Sequence, residues 1–229
     1  MRRLLGARSV GRVTFADRVD AGQRLAEALA HLAGTPAVAL GLPRGGVVVA
    51  AEVARVLGCP LDVVVVRKLG APIQPELAMG AIAEGGVRVL DQGIARDVGA
   101  DERAIARVEE RERAVLEERV RRYRAGRPPE PLEGRTAIVI DDGIATGATA
   151  RAACLSARAK GAASVVMAAP VAPTDAPSVL ADVADALVVV ASPSPFGAVG
   201  RWYRNFEATT DDEVVALLAA PPPPTGRSS

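Results

Sequence analysis

Ile138 to Thr149, IVIDDGIATGAT, carries the densest chemical signal in this 229-residue chain. A β-branched run ends in two adjacent acids, Asp141 and Asp142, and a Gly/Thr loop then opens into an alanine-rich segment. In open parallel sheets, ligands bind beyond the carboxyl ends of the strands, where such a loop would lie. Gly143, Gly147, Ala145 and Ala148 let the backbone approach a ligand closely. Their N–H groups and the positive end of the following helix make an anion site, with Thr146 and Thr149 adding hydroxyl donors. The loop suits a phosphate, yet it lacks the lysine of a P-loop and the glycine spacing of a dinucleotide fingerprint. Two carboxylates would repel a phosphate unless something neutral or cationic lay between. A ribose ring does this: its hydroxyls donate to the acids while its 5′-phosphate reaches the loop. Nearby carboxylates also stabilise positive charge developing at the anomeric carbon.

This motif resembles the 5-phosphoribosyl-1-diphosphate (PRPP) binding motif of the type I phosphoribosyltransferases. The resemblance implies that Asp141 and Asp142 hold the ribose hydroxyls, Asp142 also assisting an oxocarbenium-like transition state. Residues Gly143 and Ala145 to Thr149 would grip the 5′-phosphate. PRPP needs a second anion site for its diphosphate, and GLPRGG (41–46) looks like the family's pyrophosphate loop, with Pro43, Arg44, Gly45 and Gly46 at the start of a helix. The family often has a cis non-proline peptide here, which would be Pro43–Arg44. Arg67 and Lys68 are the next candidates for diphosphate or substrate contacts, against the alternative of a solvated strand end. The catalytic set is then Asp141, Asp142, Arg44 and Lys68. The family's mobile loop would fall on residues 69–86, where Glu76 and Glu84 either handle acceptor or metal or are solvated loop acids. Magnesium is expected with PRPP, held by substrate oxygens and water, with no dedicated protein cluster. The segment VRKLGAPIQPELAMGAIAEGG, taken with GLPRGG, resembles a bacterial group of phosphoribosyltransferases whose acceptor is not specified.

The elements that must position these residues follow from periodicity. Residues 17–33 and 47–58 read as helices, and 36–42, 60–67, 87–91, 135–140, 164–171 and 186–192 as strands. Residues 68–86 show little periodicity and read as a long loop, which is usually functional at that length. Residues 101–124 form a highly charged helix with a narrow apolar stripe; helices near 147–160 and 176–184 complete the alternation. The fold class is α/β: an open, mainly parallel sheet with helices on both faces, the type I phosphoribosyltransferase core, plus a small C-terminal hood. The expected division is a core with its N-terminal helix over 1–192, a hood over 193–220 and a disordered tail over 221–229, rich in proline. In the family a variable hood binds the acceptor base. Phe196 and Trp202, with Tyr203 and Phe206, either stack on the acceptor or pack the hood onto the sheet.

Composition sets the outer limits. The 28 basic and 27 acidic residues nearly cancel, which argues against a general nucleic-acid or membrane binder. The N-terminal MRRLLGARSVGRVTFADR starts basic but has no apolar stretch of signal-peptide length. Cys59 and Cys154 lie far apart in apolar surroundings, which fits a reducing cytoplasm. The single histidine, His31, sits in a helical pattern and excludes a His-based metal cluster. The expected activity is transfer of the 5-phosphoribosyl group from PRPP to a nitrogenous base, a purine-like or pyrimidine-like acceptor, with release of pyrophosphate. The alternative is a PRPP-sensing regulator with little or no catalysis. A homodimer is also expected, as is common in the family.

Overall fold

The structure is a computed structural model and describes residues 14–75 and 77–220. The readings of residues 1–13, of Glu76 and of a disordered tail at 221–229 lie outside the described residues. In chain order the elements are α1 (Arg18–Ala28), β1 (Ala37–Gly41), α2 (Gly45–Leu57), β2 (Leu61–Val63), β3 (Val66–Gly70), β4 (Ala78–Ala83) and β5 (Val87–Leu90). There follow α3 (Gln92–Asp97), α4 (Glu102–Arg124), β6 (Thr136–Ile140), α5 (Ala148–Ala159), β7 (Ser164–Val171), α6 (Ala176–Leu180), β8 (Ala186–Ala191) and α7 (Asp211–Ala219).

The main sheet is parallel, in the order β2-β1-β6-β7-β8. Its strands are short and apolar because both faces are covered. Ala37, Ala39, Ile138 and Ile140 turn to one face and pack with Leu25 of α1 and Val49 and Val53 of α2. Val38, Leu40, Ala137 and Val139 turn to the other, against Ala153 and Ala157 of α5 and Leu180 beyond it. From β1 the chain winds outward to β2, and from β6 it winds the other way to β7 and β8. The strand order therefore reverses between β1 and β6, and a crevice opens there beyond the strands' carboxyl ends. Both Gly-rich motifs of the sequence end at that crevice.

The apolar run 60–67 is not one strand. It divides into β2, which pairs with β1, and the start of β3, which belongs to a separate antiparallel sheet of order β3-β4-β5. Residues 68–86 are accordingly not one long loop. Lys68 to Gly70 end β3, β4 carries the fully buried Met79 and Ile82, and only a short exposed turn around Ile73 joins them. The glycines and alanines that hide the periodicity are packing residues. Ala81 and Ala83 seat β4 against Ala152 of α5, and a Cβ at Gly80 would lie 2.3 Å from the Val89 carbonyl. The opposite face of this sheet carries α4, which buries Ile105, Val108 and Leu116 against it, so its stripe is core and only its outer side is solvated.

Residues 211–219 also depart from expectation. Helix α7 starts at a capping box between Thr210 and Glu213 and places Val214 and Leu218 in the α4 core. The part of 193–220 that lies over the sheet is the stretch around residues 196–206. It is anchored by the N-terminal arm: Phe15 donates to the Trp202 carbonyl, and Arg204 and Asn205 donate to the carbonyls of Phe15 and Ala16.

Candidate active site

The end of β6 forms the centre. Asp141, Gly143, Ala145, Thr146, Gly147 and Thr149 line a pocket of about 120 Å³, with Ile144 and Ala150 beneath. Ala148 is the first residue of α5, whose N-terminus follows the loop directly. The loop takes this shape because Gly147 adopts φ of 80°, a left-handed conformation that disfavours a side chain. Gly143 is held from the other side: a Cβ there would lie 2.4 Å from Val199 of the hood.

The diphosphate candidate stands beside it. The Pro43–Arg44 peptide is cis, and α2 begins immediately at Gly45. Gly45 and Gly46 are needed for closeness. A Cβ at Gly45 would meet Asp142 Oδ2 at 2.0 Å, and one at Gly46 would meet the Ile140 carbonyl at 2.7 Å and Asp141 Cα at 2.9 Å. The start of α2 is thus pressed against the acid pair. Arg44 is exposed at this corner.

The two aspartates differ. Asp141 borders the pocket, and its Oδ1 accepts from the Asp142 backbone N–H at 2.9 Å. Burial and then the neighbouring Asp142 charge push its carboxyl well above the usual carboxylate range. Asp142 is also pushed up by burial, but the Arg18 guanidinium pulls against this: Arg18 Nε donates to Asp142 Oδ2 at 2.7 Å. Arg18 Nη1 donates to the Glu207 carbonyl, and the guanidinium lies 3.9 Å from the centre of the Phe206 ring. The Tyr203 hydroxyl donates to the Asp142 carbonyl. Arg18 gave no sequence signal, because its partner lies 124 residues away and its own surroundings read only as the start of a helix.

Other expected site residues are placed elsewhere. Arg67 points to the α4 face of the small sheet and donates to Glu112 Oε2 through Nε and Nη2 at 3.0 and 2.6 Å, so it is committed to an ion pair with α4. Lys68, next along β3, is exposed and does not line the pocket. Glu84 is neither a solvated loop acid nor an acceptor contact. It is buried, accepts from the Val65 backbone N–H, and pairs with Arg124 at 2.7 Å and Lys160 at 2.8 Å. Trp202 donates its indole N–H to the Phe196 carbonyl at 3.0 Å, and both rings are half-buried against Phe15, Tyr203 and Val171. Tyr203 stacks obliquely between Phe15 and Phe206, with ring centres 5.4 and 4.9 Å away.

The family profile described as the phosphoribosyl transferase domain matches residues 16–192, which include both Gly-rich loops and the acid pair. The chain belongs to the phosphoribosyl transferase domain family. A Mycobacterium tuberculosis protein, provisionally named a phosphoribosyl transferase in two strains, is 56% identical over 197 residues, covering 86% of this chain. The chain spans 44% of the length of those curated relatives. The crystal structure of TT1426 from Thermus thermophilus is 48% identical, with a TM-score of 0.76, covering 90% of this chain and 97% of that one. The phosphoribosyl transferase domain thus accounts for the parallel sheet and the crevice. Among the described residues no helix is long and apolar enough to cross a membrane.

Proposed function

We propose that this chain transfers the 5-phosphoribosyl group of PRPP to a nitrogenous base and releases pyrophosphate. The reading is carried by one juxtaposition: an anion-ready pocket rimmed by Asp141, beside a helix start pressed onto the acid pair. The N–H groups of 145–149 and the hydroxyls of Thr146 and Thr149 hold the 5′-phosphate at the N-terminus of α5. Asp141 and Asp142 accept from the ribose hydroxyls, and Arg44 with the N–H groups of Gly45 and Gly46 takes the diphosphate.

In the reaction the bond from C1′ to the diphosphate oxygen breaks, and its electron pair leaves with pyrophosphate. A lone pair on the acceptor nitrogen forms the new bond to C1′, and that nitrogen's proton passes to solvent. Positive charge at C1′ is stabilised by the adjacent carboxylates, which need no reorganisation at the moment of reaction. Orientation of the two substrates supplies much of the rest.

Magnesium fits this donor set. Among the described residues no group of three or more His, Cys, Asp or Glu could form a cage. A hard cation bound by one or two carboxylates plus substrate oxygens needs none, and Asp141 is the carboxylate that lines the pocket. When bound, the metal neutralises the diphosphate and improves it as a leaving group. The half-buried Phe196 and Trp202 are the proposed face for the base. A cytoplasmic setting accords with two buried, unpaired cysteines, and a homodimer remains part of the proposal.

The test is pyrophosphate release from Mg–PRPP against a panel of purines, pyrimidines and related bases. Acceptor-dependent release supports the transferase. PRPP binding with no release for any base supports a sensing role, and no uptake of PRPP sinks both.

A further inference from the structure

Within the function proposed above, on which this step rests, we infer that Arg18 is a substrate-binding residue whose guanidinium supplies a second cation to the diphosphate corner, beside Arg44. The geometry starts at Gly45, the first residue of α2. A Cβ placed there would come within 2.5 Å of Arg18 Nε and 2.0 Å of Asp142 Oδ2. One side chain from α1 is thus brought to the spot where the backbone N–H groups of Gly45 and Gly46 begin the helix. That side chain is only 12% exposed, whereas Arg44 stands exposed at the same corner.

A diphosphate seated on the start of α2 lies against the Asp142 carboxylate, and like charges that close repel. A cation between them removes that cost. Arg18 Nε donates to Asp142 Oδ2 at 2.7 Å, and Nη1 donates to the Glu207 carbonyl at 2.7 Å. A guanidinium carries five N–H donors in one plane, so both hydrogens of Nη2 and the second of Nη1 are left over. None of these has a partner among the described residues, and no buried side-chain nitrogen there goes unpaired, so Nη2 opens to solvent. The Phe206 ring, 3.9 Å away, covers a face of the guanidinium and blocks none of its in-plane donors. A clasp between α1, the hood and β6 needs only the two bonds already made. A planar fork with further free N–H groups is the shape that takes two phosphate oxygens at once. Held by Asp142 and the Glu207 carbonyl, the fork is fixed before any ligand arrives, and little side-chain freedom is lost on binding.

The test compares three probes in the presence of magnesium: PRPP, pyrophosphate and ribose 5-phosphate. Their Kd values are measured by calorimetry on wild type, Arg18→Gln and Arg18→Lys. Arg18→Gln should weaken pyrophosphate and PRPP by at least about tenfold and leave ribose 5-phosphate within about twofold, because a charge-assisted bond is lost from one ligand group only. Arg18→Lys keeps the charge without the fork and should recover part of the loss. A loss no larger for pyrophosphate than for ribose 5-phosphate shows a merely structural contact and overturns the inference. Should Arg18→Gln not fold, wild type decides: the Arg18 Nε–H resonance, assigned by its absence in Arg18→Lys, should move with Mg–pyrophosphate and hold still with ribose 5-phosphate. A resonance that ignores pyrophosphate overturns the inference as well. Wild type that takes up neither PRPP nor pyrophosphate sinks the proposed function itself. Wild type that takes up both, with Arg18→Gln matching it, sinks only the role of Arg18.

Discussion

At the scale of single residues, Asp141 shows the tension between stability and chemistry. Burial and the charge of Asp142 raise its folded-state pKa above the unfolded value of about 3.9. A carboxyl raised in this way contributes stability fully below the unfolded value and loses that contribution as pH rises through the folded one. At neutral pH Asp141 therefore works against the fold. Asp141→Asn removes the charge, and its amide oxygen can still accept from the Asp142 N–H. Its Tm at pH 7 should exceed wild type, by about 2–4 °C for each kcal/mol relieved at this chain length. The difference should vanish below about pH 4, and Mg–PRPP binding should be lost. A calorimetric scan showing an unchanged or lower Tm at pH 7 would contradict the account. Such a gain in stability with loss of function is the usual mark of a strained site.

At the scale of elements, a buried ion-pair network joins the two sheets. Arg124, from the last turn of α4, reaches Asp62 of β2, Glu84 after β4 and the Val63 carbonyl, and Lys160 beyond α5 closes the network on Glu84. Burial pushes the Glu84 carboxyl up, but Lys160 and Arg124 together bring it below the ordinary range. Removing the central cation leaves two buried carboxylates short of it, which costs far more than the pair contributes. Arg124→Met should lose about 3–5 kcal/mol in urea denaturation. Because Glu84 is depressed, its contribution is present above its unfolded value and lost as pH falls through the folded one, so the gap to wild type should narrow in acid. A cost near that of a surface pair, under about 1 kcal/mol, would show that the joint is held by packing alone.

At the scale of the whole molecule, residues 15–18 and 202–206 meet beside one crevice, and the helix that follows them does not. Phe15 and Ala16 pair with residues 202–205, Arg18 reaches Asp142, and α7 turns away to the α4 core. The functions of these parts should separate accordingly. Leu218→Ala should cost about 2–5 kcal/mol of stability while leaving the Kd of Mg–PRPP unchanged in calorimetry. A large loss of affinity without loss of stability would instead make α7 part of the hood's binding face. Much of this was legible in the sequence. Parallel strands buried on both faces write themselves as apolar runs, and a loop pressed close to its neighbours must use small residues, so IVIDDGIATGAT and GLPRGG marked β6, β1 and the two Gly-rich loops that follow them. What stayed hidden depended on contacts between distant residues. The run 60–67 could not reveal that it changes sheets after Val63, because burial looks the same in either. Ala81, Ala83 and Gly80 lack the bulk that signals a strand, since α5 and β5 approach too closely to allow it. Arg67 and Glu84 offered charge without showing the partners, Glu112 and Arg124, that commit them to the framework. Local spacing located the two Gly-rich loops and the acid pair; only the tertiary structure decided which charges reach them, because an ion pair's partner is chosen by packing and not by sequence order.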